Sequence, residues 1–170
     1  MQIAREMGAA KVIGSSTNAA RRARLAEFGC DLAIDTSDPH WVQAVLDETG
    51  GKGVDLIVDQ VSGGLVTPNM RAARVLGRIV NVGRLGGQKT EFDADLHALR
   101  RITYIGVTFR TRTPEEVAEI TRALLADLTP ALEARRFSMP IDSVFGLADF
   151  AQALAKMKAN EHFGKIVLRH

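Results

Sequence analysis

Ser15, Ser16, Thr17 and Asn18 end the first β-branched run of the chain, and Arg21, Arg22 and Arg24 follow almost at once. Small hydroxyls beside guanidinium groups suit a phosphate dianion, because arginine offers bidentate, charge-assisted hydrogen bonds. A carboxylate in that place would instead bind a ribose 2′-hydroxyl and repel a 2′-phosphate. No acid stands there. In a dinucleotide-binding unit this pattern favours NADPH over NADH. Arg21 and Arg24 share a helix face while Arg22 points elsewhere, and the same run also fits a solvated helix face.

Two glycine clusters repeat one theme. DQVSGG (Asp59–Gly64) and NVGRLGG (Asn81–Gly87) each close an apolar run. Glycine lets a backbone approach a ligand closely, and open α/β sheets bind ligands at the carboxyl ends of their strands. Each cluster alone also fits a tight turn; two at consecutive strand ends say more. His40, His97, His162 and His170 are far apart and lack metal-ligand spacing. The single cysteine, Cys30, opens a strand beside no visible base and reads as a structural thiol. No Ser-His-Asp set or G-x-S-x-G elbow is present. Asp55 and Asp59 share a strand face by period two, but on a strand too apolar for a glycosidase pair.

These residues need elements to hold them. The chain alternates strands with helices: Met1–Gly8 reads as the last turns of a helix, and KVIGS (Lys11–Ser15) as a strand. Asn18 caps a helix that stops at Gly29, and CDLAID (Cys30–Asp35) is the next strand. Ser37 or Asp38 caps a helix beginning at Pro39. GVDLIVDQV is nearly all apolar, as expected of a strand buried on both faces. Leu65–Ala73 is helical, Arg78–Gly83 a strand, Leu96–Arg101 a short helix and Ile102–Phe109 a strand. Thr113, Pro114 and Glu116 form a capping box for the best helix of the chain. MPIDSVF, LADFAQALAKMKANEH and KIVLRH read as strand, helix and strand. Such alternation predicts α/β architecture, a parallel sheet covered on both faces in one domain.

Composition sets outer bounds. The 170 residues carry 46% apolar and 25% charged residues and a net charge of +2, which makes no case for nucleic acid. No apolar run approaches the roughly 20 residues a membrane helix needs. One cysteine excludes an internal disulfide framework, so a reducing cytoplasm is the expectation. Met1 is followed by a polar helix, and no signal peptide is read.

Taken in order, KVIGSSTNAARRARLAEFGCDLAID, TGGKGVDLIVDQVSGG, ARVLGRIVNVGRLGG, ITYIGVTFRTRTPEE and the closing HFGKIVL resemble the medium-chain dehydrogenase/reductase superfamily. The likeness is to its NADPH:quinone oxidoreductase branch and covers essentially all of the chain. It implies a Rossmann-type doubly wound parallel sheet with strand order 3-2-1-4-5-6. Family members have a strand and an A-x-S-G-V-G loop ahead of the helix that QIAREMGA would end, and a GroES-like domain before that. Residues 1–170 hold none of these, so the expectation is a truncated NAD(P)-binding domain over 1–170, without its first central strand.

The resemblance also assigns roles. Arg21 falls where the family has a basic residue for the 2′-phosphate, with Ser15 and Ser16 around it. Thr36 stands where relatives often have a tyrosine beside the adenosine. Val61 and Gly63 match a loop passing the cofactor ribose, and Gly83 and Arg84 a loop near the nicotinamide. Phe109 and Thr111 match a segment that approaches the carboxamide, and Lys165 lies near the interdomain cleft in relatives. Ile102–Phe109 matches an edge strand that relatives pair across a dimer axis, which implies a homodimer. Domains of this type are often labelled zinc-binding dehydrogenases, yet this chain offers no zinc site and the quinone-reductase branch does without zinc.

The implied activity is hydride transfer from NADPH to a quinone or α,β-unsaturated carbonyl. The alternative is a non-catalytic Rossmann module that dimerises and binds nucleotide weakly or not at all. Without the pyrophosphate loop, the isolated chain is expected to be inactive.

Overall fold

The computed structural model describes residues 1–170, and it is α/β throughout. Seven strands occur: β1 (Ile13–Ser15), β2 (Leu32–Ile34), β3 (Val54–Asp59), β4 (Ala73–Asn81), β5 (Thr103–Gly106), β6 (Ile141–Gly146) and β7 (Lys165–Arg169). The helices are α1 (Gln2–Glu6), α2 (Ala19–Ala23), α3 (Trp41–Glu48), α4 (Val66–Ala72), α5 (Ala94–Arg100), α6 (Pro114–Glu133) and α7 (Phe150–Ala159). Every strand pairing is parallel, as crossover connections through helices require.

The strands form three ladders, β1-β2, β3-β4-β5 and β6-β7. The first two run in the order implied by the resemblance, and β1 and β3 share no hydrogen bonds across the position of the first Rossmann strand. At the far end of the chain β6 and β7 pair only with each other, apart from the five strands β1–β5 that follow the implied order. Asp142 ties that pair to α7 by bonding Lys156 Nζ at 2.5 Å and the Phe163 amide at 2.9 Å.

Helices α3, α4 and α5 cover one face. Ile34, Trp41, Val45 and Ala72 form one buried cluster, against which Ile13 of β1 and Val54 and Ile57 of β3 pack. This cluster joins the two ladders where hydrogen bonds do not. Val66, Met70, Ala73, Ile79 and Ile102 form the second, joined by Leu96 and Tyr104. The opposite face of β3 is open: Leu56 is 46% and Val58 57% exposed. The apolar run therefore does not mark a strand covered on both faces in this chain. Only 21 of 170 residues are buried, which reflects that open face.

Local signals set the helix ends. Asn18 caps α2 by accepting from the Arg21 amide, and the Thr113–Glu116 capping box opens α6. Helix α2 is shorter than expected; the chain tightens into a 3₁₀ turn over Leu25–Phe28 before Gly29. Helix α3 starts at Trp41 rather than Pro39, because Asp35 and Asp38 spend their carboxylates on a local turn: Asp35 accepts from the Ser37 amide and Asp38 from the His40 amide. No helix is long and apolar enough to cross a membrane.

Candidate functional site

The carboxyl ends of β3 and β4 carry the two glycine clusters, and the fold locks them together. The Asp59 carbonyl accepts from the Val82 and Gly83 amides at 2.9 and 3.0 Å, and the Val61 carbonyl from the Gly86 amide at 2.8 Å. A Cβ at Gly83 would collide with the Gln60 carbonyl, and one at Gly63, which has φ +57°, with the Gly86 carbonyl. Glycine is needed at both places for close backbone approach. Val61, Gly63, Gly83 and Arg84 are thus brought into one loop cluster. Arg84 is exposed.

Beneath this cluster lies a polar network that residue types alone did not single out. Asp59 is 4% exposed. Its Oδ1 accepts from the Val61 and Ser62 amides, both at 2.8 Å, and its Oδ2 from Asn69 Nδ2 at 3.0 Å. Ser62 sits at φ 59°, ψ −142°, a costly backbone region for a non-glycine residue. Asn81 Nδ2 reaches Tyr104 OH at 3.0 Å and Ser62 Oγ at 3.4 Å, while the Asn81 Oδ1 is buried without a partner. Asp55, four residues earlier, is exposed and pairs with Arg74 at 2.8 Å, so the two aspartates of β3 have unrelated surroundings.

At the end of β1, Ser15 is exposed and Ser16 half-buried. The Ser16 hydroxyl accepts from the Asn18 amide at 3.3 Å. The three arginines diverge. Arg21 turns away to Asn160, donating to its side-chain and backbone oxygens. Arg24 pairs with Glu27 at 2.9 Å and lies 4.2 Å from the centre of the Phe163 ring. Arg22 alone stays at the strand end, 2.7 Å from the Ser16 carbonyl and 2.9 Å from Asp35. The Ser37 hydroxyl and amide, together with Arg22, hold the Asp35 carboxyl below its ordinary range. A guanidinium has donors to spare after these two contacts, so Arg22 is placed to meet an anion beside Ser16.

Thr36, just past β2, lines a cavity of about 430 Å³ with Gly64, Leu65, Pro68 and Arg71. The loop after β2 therefore faces the start of α4. Phe109 and Thr111 follow the end of β5, with Phe109 61% exposed and Arg112 5.9 Å from its ring centre. They stand at the same edge as the two glycine loops, and the Val107 amide donating to the Asn81 carbonyl at 3.0 Å ties their segment to β4. Lys165 is exposed and begins β7, outside the ladder that carries the loops.

Two features had no reliable sequence signal. Arg22 is indistinguishable by type from its neighbours, and only the pose of α2 selects it. Asn69 lies mid-helix, and its service to Asp59 depends on the packing of α4 under β3.

Comparison with known proteins gives the same frame. A family described as zinc-binding dehydrogenase matches residues 1–126. A highly reducing polyketide synthase of Leptosphaeria maculans is 26% identical over 98% of this chain, which spans 7% of that protein. The quinone oxidoreductase-like protein 2 of Bos taurus is 25% identical over 94% of the chain, which spans 45% of it. A mycobacterial protein solved in complex with NADPH superposes with a TM-score of 0.79 at 24% identity, covering 99% of this chain and 52% of its own. The family description implies zinc, but no three His, Cys, Asp or Glu side chains converge in the structure, so the residues present do not fit that ion. With 126 of its 170 residues matched, parallel Rossmann ladders and glycine loops at their carboxyl ends, the chain belongs to the zinc-binding dehydrogenase family of the medium-chain dehydrogenase/reductase superfamily, as its cofactor-binding domain.

Proposed function

We propose that this chain holds NADPH for an enzyme that delivers hydride to a quinone or an α,β-unsaturated carbonyl. The observation that carries the cofactor choice is the end of β1: Ser15 and Ser16 with Arg22 at the Ser16 carbonyl, and no acid in the place where NAD-binding sheets put one. Ser16 and Arg22 would hold the 2′-phosphate, and the nearby Asp35, already engaged by Ser37 and Arg22, would keep the guanidinium oriented. The loops at Val61–Gly63 and Gly83–Arg84 would pass the ribose and nicotinamide, with Phe109 and Thr111 closing the same edge. Thr36 would border the adenosine. When bound, NADPH supplies the hydride; the chain's own residues position it.

The acceptor class rests on the resemblance to quinone reductases, and the names of a reducing synthase and a quinone oxidoreductase-like protein among the relatives support it. In this reading the enzyme is cytoplasmic and works as a homodimer through the strand at Ile102–Phe109.

The test is ligand-induced stabilisation. A ligand at 100 times its Kd stabilises the folded state by about 2.7 kcal/mol. NADPH is expected to raise Tm while NADH at equal concentration does not. Equal shifts with both nucleotides would remove the basis for NADPH, and no shift with either would remove the binding role.

A further inference from the structure

The β3 strand end holds a buried carboxylate that no ion pair neutralises and that the cofactor reading leaves without a task. Asp59 is 4% exposed, yet no lysine or arginine pairs with it. All of its side-chain hydrogen-bond partners are uncharged donors: the Val61 and Ser62 amides and the Asn69 amide group. Three charge-assisted hydrogen bonds can offset the desolvation of a buried carboxylate. This arrangement does something specific to the backbone. It turns two successive amides inward, which holds Ser62 at positive φ and presents Val61 and Gly63 at the strand end.

We infer that Asp59, held by Asn69, is a positioning pair that sets the Val61–Gly63 loop for the central part of a bound NADPH; this rests on the reading of these loops as the cofactor edge. Asp59 touches no ligand itself. It acts through the loop, and through the Asp59 carbonyl it also seats the loop after β4, which bonds back by the Val82 and Gly83 amides. The backbone at Asp59 thus joins the two glycine clusters, while its carboxylate sets the turn of the first. The strained Ser62 conformation is the element it controls: without the carboxylate, both amides lose their acceptor and the turn is free to relax.

The pair is separated from general stability by using two ligands. Adenosine 2′,5′-bisphosphate reaches the β1 end, at Ser16 and Arg22, and the Thr36 border, but has no nicotinamide half to meet the Val61–Gly63 turn and the loop after β4. NADPH reaches that end and also the loops after β3 and β4. Calorimetry on the full chain is expected to show Asp59→Ala binding NADPH about tenfold more weakly, the size expected when buried donors lose a charged acceptor. Affinity for the bisphosphate should stay within about twofold of wild type, because its phosphate contacts at Ser16 and Arg22 lie on another ladder. An equal loss for both ligands, or no loss for either, would overturn the positioning role. If Asp59→Ala does not fold, Asn69→Ala carries the test: it leaves both loop amides bonded and is expected to weaken NADPH alone by about threefold, since one of three bonds is lost. A wild-type chain that binds the bisphosphate but gains nothing from NADPH would overturn both the inference and the cofactor-edge reading. A wild-type chain that binds NADPH, with variants that bind it equally well, would overturn the inference alone.

Discussion

At the scale of single residues, three arginines within four positions have three different fates. Arg21 is bound to Asn160, Arg24 to Glu27 and the Phe163 ring, and only Arg22 remains at the end of β1. The residue-by-residue resemblance implies Arg21 for the 2′-phosphate, whereas the proposed site uses Arg22 beside Ser16. Arg22→Ala is therefore expected to cost NADPH about tenfold in affinity, the scale of a lost charge-assisted contact, and to leave NADH affinity unchanged. Arg21→Ala should leave the preference between the two nucleotides intact, which competition titrations of the two variants would check. Gly83 is the most constrained backbone position of the site. Gly83→Ala puts a Cβ into the Gln60 carbonyl and is expected to destabilise the chain by about 1–3 kcal/mol in urea unfolding, as overpacked contacts do.

At the scale of elements, the β6-α7-β7 unit is tied by one half-buried, well-bonded carboxylate, Asp142. The Lys156 ammonium, then the Phe163 amide, pull the Asp142 carboxyl from 3.8 down to about 2. A carboxylate with a depressed folded-state pKa stabilises the fold above its unfolded value, and that contribution is lost as pH falls through the folded value. The stability difference between wild type and Asp142→Asn should thus be constant at pH 5 and above and shrink between pH 3.8 and about 2. Urea midpoints measured across that range would show it; a difference independent of pH would mean that the charge on Asp142 contributes nothing to stability. Helix α6 tells the complementary story. Its capping box fixes its start at Pro114, but among its 20 residues only Leu128 and Ala131 are buried. Its stability therefore draws on local capping and on the Arg136–Glu6 pair to α1 at 2.6 Å more than on a deep apolar face.

At the scale of the whole molecule, the open strand edges dominate. Strand β5 pairs only with β4, and Ile105 is 38% exposed on it. An unpaired parallel edge is a template for another chain. In sedimentation the chain is expected to behave as a dimer, and Ile105→Lys as a monomer with near-native helix content, since a charged side chain on an edge strand opposes pairing. A wild-type chain that sediments as a monomer would exclude this edge as the interface. Strand β3 and strand β1 face each other without a ladder, and Leu56 and Val58 lie open beside that break. Their packing to a common helix layer through Ile13, Val54 and Ile57 is what keeps the two ladders in one fold.

Periodicity and end signals in the chain determined the element types, their order and their parallel sense. Asn18, Gly29, Thr113 and Glu116 act on their own neighbours, and such local hydrogen bonds need no distant partner. The glycine clusters were legible for a related reason: only glycine tolerates the close approach at Gly63 and Gly83, so the residue type itself reports the geometry. Other features depended on contacts between segments far apart in sequence. The Asn160 partner of Arg21 lies 139 residues away, and the Asn69 partner of Asp59 sits on a different element. The exposure of β3 and the separate β6-β7 pair likewise follow from what packs against what. Apolar alternation states which residues prefer burial; only the tertiary structure decides which of them find a surface to be buried against.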